Sequence, residues 1–201
     1  MLDAARELFL EHGFGGTSVS EVVRRSGGSL ATLYELFGSK EGLFEAIIAD
    51  VSEQIVAPFG TPEFESRPLD EALRLFGERF LALVLEPEAL RWNRMCIAEG
   101  PKYPELRAAL VRTGPGHVND RLTAYLAAQT KAGRLRIEDS RVAALHFLSL
   151  IKSETHFAAV CGEPLEAQPA EIARQVAQAV DVFLRGYAVH GRPGAPSRSQ
   201  P

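Results

Sequence analysis

The side chains best suited to recognition lie in one short segment of this 201-residue chain, residues 30–35. If this segment and the two residues after it form a helix, Leu33 and Phe37 lie on the same face, because they are four residues apart, and this apolar face is directed to the interior. The opposite face then combines hydroxyl, carboxylate and apolar groups, and it could enter the major groove of DNA. The outward residues are Leu30, Ala31, Thr32, Tyr34 and Glu35.

Two short helices and a tight turn must position this face. Ser18 followed by Glu21 is a capping box, in which the hydroxyl and the carboxylate each satisfy a free amide, so a helix is predicted to begin near Ser18. Gly27 and Gly28 can adopt positive φ without steric cost and therefore end that helix. Ser29 then caps the second helix. The pattern is that of a helix-turn-helix.

Helical periodicity dominates the rest of the chain, and no convincing run of alternating residues favours a strand. Gly38 followed by Ser39 ends the second helix of the motif and caps a longer one. The chain is therefore predicted to be all-α. Beyond the motif, helices are predicted over residues 2–11, 69–85, 87–99, 103–112, 117–132, 139–160 and 169–189. The sequence GPG at residues 114–116 either separates two helices, the interpretation adopted here, or kinks a longer one.

Composition excludes several classes of protein. No apolar run approaches the roughly 20 residues that a membrane helix needs, and the first residues lack the pattern of a secretory signal, so a cytoplasmic protein without a membrane partner is expected. Cys96 and Cys161 are too far apart in sequence for a metal motif and are expected to be reduced thiols. No catalytic or phosphate-binding motif is present, so we expect no enzyme activity, metal or cofactor.

The distribution of charge opposes DNA binding. Residues 1–50 contain four basic and eight acidic side chains, so the whole net charge of −4 lies there and the remainder is neutral. Contact with phosphate favours a basic surface. Helix N-termini can nevertheless hold phosphates through backbone amides, without any net positive charge.

In its first fifty residues the chain resembles the tetracycline-repressor (TetR) family of bacterial transcriptional regulators. The matching segments are LDAARELF at residues 2–9, GF at 13–14, TSV at 17–19, TLYELF at 32–37 and SKEGLF at 39–44. A second resemblance, to the C-terminal domain of the AefR-like branch, involves EP at 86–87, AE at 98–99, YPEL at 103–106, GRL at 133–135 and AVDVFL at 179–184.

This resemblance implies the domain organisation. A three-helix DNA-binding domain over residues 1–46 is joined by the fourth helix to a larger helical domain for ligand binding and dimerisation over residues 47–189. A disordered tail is expected over 190–201. Because family members often begin with a basic arm that is absent here, we hypothesise that the natural start lies upstream of Met1.

The resemblance also implies which residues contact DNA. Thr17, Ser18, Tyr34 and Lys40 match positions that contact phosphates, and Ser29 lies at the start of the recognition helix. Leu30, Ala31, Thr32 and Glu35 match base-facing positions, with apolar groups suited to thymine methyls and a carboxylate suited to cytosine N4. For Glu35 the alternative is an ordinary solvated charge, since a carboxylate near phosphates repels them.

The family further implies an apolar small-molecule pocket in the larger domain and a homodimer formed by the last two long helices. Simple core packing is the alternative for every pocket candidate. The resulting hypothesis is a ligand-responsive repressor on a palindromic operator; a helical dimer that binds a small molecule or a partner but has weak or no DNA affinity is the alternative. The pocket candidates are Phe80, Trp92, Met95, His117, His146, Phe147 and Leu150.

Overall fold

The computed structural model describes residues 1–164 and 168–189, which form eleven α-helices and no strand. The all-α prediction is therefore confirmed, and the tail predicted over 190–201 lies outside the described residues. The helices are α1 (Leu2–Gly16), α2 (Val19–Ser26), α3 (Leu30–Phe37), α4 (Lys40–Val56), α5 (Pro62–Glu65), α6 (Leu69–Val84), α7 (Pro87–Glu99), α8 (Pro104–Thr113), α9 (Pro115–Lys131), α10 (Ser140–Cys161) and α11 (Pro169–Tyr187).

Serine caps define the starts of the helix-turn-helix elements, as predicted. The Ser18 hydroxyl accepts the Glu21 amide hydrogen at 3.2 Å, and Ser39 accepts that of Gly42 at 3.1 Å. The capping box is only half formed, because the Glu21 carboxylate lies 3.5 Å from Arg24, its ion-pair partner.

The two glycines that separate α2 from α3 differ from the prediction. Gly27 has φ 71° and ends α2 in the left-handed conformation, but Gly28 does not have positive φ. One left-handed residue is enough to reverse the chain here, because the Gly27 amide already binds the Val23 carbonyl.

Two apolar clusters organise the molecule. The N-terminal cluster joins α1–α4, with Phe9, Phe14 and Phe44 at its centre, but it also contains Trp92 from α7 and Leu106 from α8. The first four helices therefore do not enclose a core by themselves, and the boundary at residue 46 stays a prediction. The C-terminal cluster contains Phe76, Phe147 and Phe183, along with other residues of α4, α6, α7 and α9–α11.

A kink divides α10 at Ser153, which has φ 45° and ψ −152°. Positive φ costs a non-glycine residue energy unless neighbouring contacts fix it. Gln175 of α11 supplies one such contact, because its side-chain amide donates to the Ile151 carbonyl at 2.6 Å. Within the described ranges, no helix is long and apolar enough to cross a membrane.

Candidate nucleic-acid interface

The outer face of α3 is presented to solvent as the sequence predicts. Leu33 is completely buried beneath it, whereas Leu30 is 42% and Tyr34 is 50% exposed. Ala31, Thr32 and Glu35 are also exposed. The helix therefore packs through one narrow stripe and leaves a mixed polar and apolar surface free.

Leu36 belongs to the same exposed surface and was missed by the sequence analysis. It is 64% exposed, more than either Leu30 or Tyr34. Its position carried a usable signal, since Leu33 and Phe37 already supply the inward stripe of a two-turn helix and leave Leu36 on its flank.

A compact hydroxyl pair fixes the first turn of α3. The Ser29 hydroxyl accepts the Thr32 amide hydrogen at 3.1 Å, and the two side-chain oxygens are 2.9 Å apart. Both side chains are exposed, so each oxygen retains hydrogen-bonding capacity toward an external group.

Thr17 requires a correction, because its hydroxyl is not available to a phosphate. The side chain is 3% exposed and donates to the carbonyls of Gly13 at 2.8 Å and Leu8 at 3.0 Å. It ties the end of α1 to the start of α2, so a contact with phosphate would have to use its backbone. Ser18 next to it is exposed.

Lys40 lies at the start of α4 and packs over an aromatic ring. Its ammonium is 4.5 Å from the centroid of Phe14, within the range of a cation–π interaction. Partial burial lowers the pKa of Lys40, while the carboxylates of Glu41 and Glu99 oppose this shift.

The arginines of the N-terminal region pair with acidic neighbours. Arg25 of α2 lies 2.9 Å from Glu11 and 3.1 Å from Glu7 of α1. The hydrogen bond with Glu11 raises the pKa of Arg25 and lowers that of Glu11. Arg6 pairs with Asp50 at 3.3 Å. Lys40, by contrast, has no carboxylate partner within 4 Å among the described residues.

The seven pocket candidates do not converge on one cavity. Phe80 and Phe147 both pack on Phe76 in the C-terminal cluster, at centroid distances of 5.9 and 6.3 Å. Trp92 and Met95 instead belong to the N-terminal cluster. Their predicted grouping with the other candidates is therefore corrected: α7 turns this face toward α1 and α4.

The remaining three candidates lie at two further places. His117 of α9 approaches Glu53 of α4, with 3.3 Å between Nε2 and Oε2. His146 lies 2.9 Å from the Tyr187 hydroxyl and, together with Leu150, lines an open cavity of about 480 Å³ between α10 and α11. Of the seven predicted pocket residues, His146 and Leu150 thus line this cavity together.

An all-α chain with a capped, solvent-facing helix after a short helix and a glycine turn defines a helix-turn-helix regulator. Residues 1–47 match the family described as bacterial regulatory proteins of the tetR type, and residues 71–189 match the C-terminal domain of AefR-like transcriptional repressors. The chain belongs to the TetR family of transcriptional regulators, which are not enzymes.

Individual relatives agree with this assignment. The chain is 35% identical over 118 residues to the HTH-type transcriptional regulator UidR of Escherichia coli K12, a match that spans only about half of each protein, 55% in both cases. The flavonoid-responsive regulator FrrA is 30% identical with a TM-score of 0.77, covering 94% of this chain and 96% of FrrA. A TetR-family regulator from Mesorhizobium loti is 25% identical with a TM-score of 0.79, covering 94% and 95%.

Proposed function

We propose that this protein is a cytoplasmic, homodimeric repressor that binds a near-palindromic operator and responds to a small apolar molecule. The observation that carries the proposal is the exposed face of α3, which is capped at Ser29 and backed by the fully buried Leu33. A helix held in this way can enter a major groove without losing its own packing.

Contacts with DNA divide into two groups in this proposal. Ser18, Ser29, Tyr34 and Lys40 contact phosphates and set the register. Leu30, Ala31, Thr32 and Glu35 face bases, and the exposed Leu36 extends the apolar part of this surface. Lys40 is suited to its role because no carboxylate among the described residues neutralises it at close range.

Dimerisation through α10 and α11 is supported by apolar side chains that remain exposed in the single chain. Val142 and Leu145 of α10 are 43% and 49% exposed, and Val182 of α11 is 54% exposed. They lie at helical spacing on the two helices that line the open cavity beside His146. A second copy packed on this face would bury them and place two α3 helices on successive half-sites.

An effector is proposed because the structural relative FrrA is a flavonoid-responsive regulator. The cavity beside His146 offers an apolar wall and a polar histidine–tyrosine pair, a combination that orients small molecules. The two α3 helices of a dimer can lie at different spacings in different conformations. An effector that binds one of these conformations more tightly would change DNA affinity by at most the ratio of its affinities for the two conformations.

The test is fluorescence anisotropy of the protein on DNA fragments tiled across its own upstream region, at several salt concentrations and with a scrambled control. Saturable, sequence-dependent binding that weakens with salt is expected. Equal affinity for upstream and scrambled fragments would contradict operator recognition.

A second candidate function is a helical dimer that binds a small molecule or a partner and has weak or no DNA affinity. The acidic N-terminal region favours it, because Arg25 and Arg6 are already paired with carboxylates and leave few cations for phosphate. Absence of DNA binding even at low salt, combined with saturable binding in a small-molecule screen, would favour this candidate.

A further inference from the structure

The last turn of α7 contacts residues 13–16, which end α1 and lead into α2; we call this segment the α1–α2 turn. The Glu99 carboxylate accepts the Gly15 amide hydrogen at 2.8 Å. Tyr103, just beyond α7, packs its ring against Phe14 with 5.4 Å between centroids. Two contacts, made by four residues in all, therefore hold together two segments that lie more than 80 residues apart in sequence.

The glycines on either side of Phe14 make this close contact possible. A Cβ on Gly13 would overlap the Glu99 carboxylate, and a Cβ on Gly15 would overlap the Tyr103 hydroxyl. Gly13 also has φ 74°, which a side chain rarely adopts. The absence of side chains at Gly13 and Gly15 thus lets Glu99 and Tyr103 approach the backbone of this turn closely.

This turn leads directly into the DNA-facing surface. Gly13 accepts a hydrogen bond from the buried Thr17 hydroxyl, and Ser18 then caps α2. Lys40 packs over Phe14, within the same small cluster. A displacement of the turn would therefore move the start of α2 and the ring that supports Lys40 together.

The opposite face of α7 is attached to α10. The Arg94 guanidinium donates to the carbonyls of Ala159 at 2.6 Å and Val160 at 2.7 Å, the last turn of α10. This turn lies beyond the kink at Ser153, so its direction differs from that of the first part of α10. A single short helix thus bonds to both α10 and the α1–α2 turn.

We propose that Glu99 is a positioning residue for DNA binding and that α7 links the end of α10 to the α1–α2 turn through Arg94 and Glu99. The proposal rests on the function proposed above. Helix α4 already joins the two apolar clusters, because it contributes residues to both. Arg94 and Glu99 would add a second connection, made of hydrogen bonds.

The first test measures operator affinity for three variants. Glu99→Ala removes the acceptor and is expected to weaken binding by about three- to tenfold, whereas Glu99→Gln keeps a carbonyl acceptor and stays within about twofold of wild type. Glu105→Ala, which truncates an exposed glutamate in the first turn of α8, is the matched control and stays within about twofold. Equal loss in Glu99→Ala and Glu99→Gln would overturn the role of the hydrogen bond.

The second test needs no DNA and therefore separates this inference from the proposed function. Hydrogen exchange of the Gly15 amide, followed by NMR, is expected to accelerate in Glu99→Ala and to remain near wild type in Glu99→Gln and Glu105→Ala. Unchanged exchange at Gly15 in Glu99→Ala overturns the inference whether or not the protein binds an operator. Absence of DNA binding by wild-type protein overturns the proposed function instead.

A double-mutant cycle tests the connection to α10. If Arg94 acts through α7, Arg94→Ala weakens operator binding by itself but has almost no further effect when Glu99 is already alanine. Additive losses, or no effect of Arg94→Ala in the wild-type background, would overturn the link while leaving the role of Glu99 to the first two tests.

Discussion

Three of the predicted phosphate contacts, Thr17, Tyr34 and Lys40, differ in how far their side chains reach solvent, and this decides what each can contribute to binding. The Tyr34 side chain is half exposed, while Lys40 packs on Phe14 and has no carboxylate within 4 Å of its ammonium among the described residues. Thr17 is bonded internally. Phosphate contact is therefore expected from Tyr34 and Lys40, and not from the Thr17 hydroxyl.

Removing Lys40 or Tyr34 should weaken DNA binding without changing sequence preference. Lys40→Ala and Tyr34→Ala are each expected to cost about 1 kcal/mol on operator and scrambled DNA alike, and Lys40→Ala should lower the slope of log K against log salt by about 1. Anisotropy titrations over a salt series measure both quantities. Lys131→Ala, at the exposed end of α9, is the control and should change neither.

Glu35 should affect which base is preferred. The exposed carboxylate lies on the outer face of α3, where it can accept a hydrogen bond from cytosine N4. Glu35→Ala is therefore expected to relax discrimination at one base pair by about 1–3 kcal/mol. Competition with operators changed at single positions measures this. Uniformly tighter binding to every fragment would identify Glu35 as a repulsive surface charge instead.

At the scale of elements, the orientation of α3 relative to α2 depends on one backbone angle. Gly27 has φ 71°, and a side chain there would meet no neighbouring atom within 4 Å. The Cβ of an alanine at Gly28 would overlap the flexible end of Met1 and would lie in ordinary van der Waals contact with Ser26 Oγ at 3.5 Å, at a position without positive φ. Substitutions at these two adjacent glycines therefore distinguish the cost of positive φ, at Gly27, from the cost of steric overlap, at Gly28.

Gly27→Ala should destabilise the protein more than Gly28→Ala does. Forcing a Cβ into the left-handed region costs about 1–2 kcal/mol, whereas Met1 can move aside for the second substitution. Urea unfolding followed by circular dichroism gives both free energies of unfolding. Similar losses for the two variants would mean that packing, and not φ, controls this turn.

At the scale of the whole molecule, the exposed apolar residues of α10 and α11 determine the expected assembly. Leu145→Arg should dissociate a dimer, because burying an unpaired guanidinium costs several kcal/mol. Light scattering after size exclusion gives the mass. Ile97→Arg is the matched control, since Ile97 is 61% exposed on α7 and should tolerate charge. A monomeric wild-type protein would contradict the proposed interface.

The junction between α7 and the N-terminal cluster can be followed through the two thiols. Cys96 is buried there, and burial, with a further contribution from Glu99, raises its pKa to about 12. Cys161 is exposed. Because the thiolate is the reactive form, Cys161 should be alkylated rapidly at pH 8 and Cys96 only slowly. Mass spectrometry with and without urea measures the rates. Equally fast alkylation in native protein would show that this junction is open.

Much of the fold followed from local patterns. The serine caps at Ser18, Ser29 and Ser39 and the inward direction of Leu33 depend on neighbours within four residues, so sequence spacing predicts them. The breaks between helices were predictable for the same reason, including the one between α8 and α9 at Gly114. The family resemblance added the order of the two regions and the proposed DNA-binding role of α3.

The sequence by itself thus determined an all-α regulator of the TetR family and predicted α3 as its recognition helix. Tertiary structure alone decided that Thr17 turns its hydroxyl inward, that Trp92 packs against Phe9 and Phe44, and that Glu99 binds the Gly15 amide. These contacts join residues that are distant in sequence or depend on a kink at Gly13. Local periodicity assigns a side chain to a face of its helix, but only the packing of helices decides which neighbour that face meets.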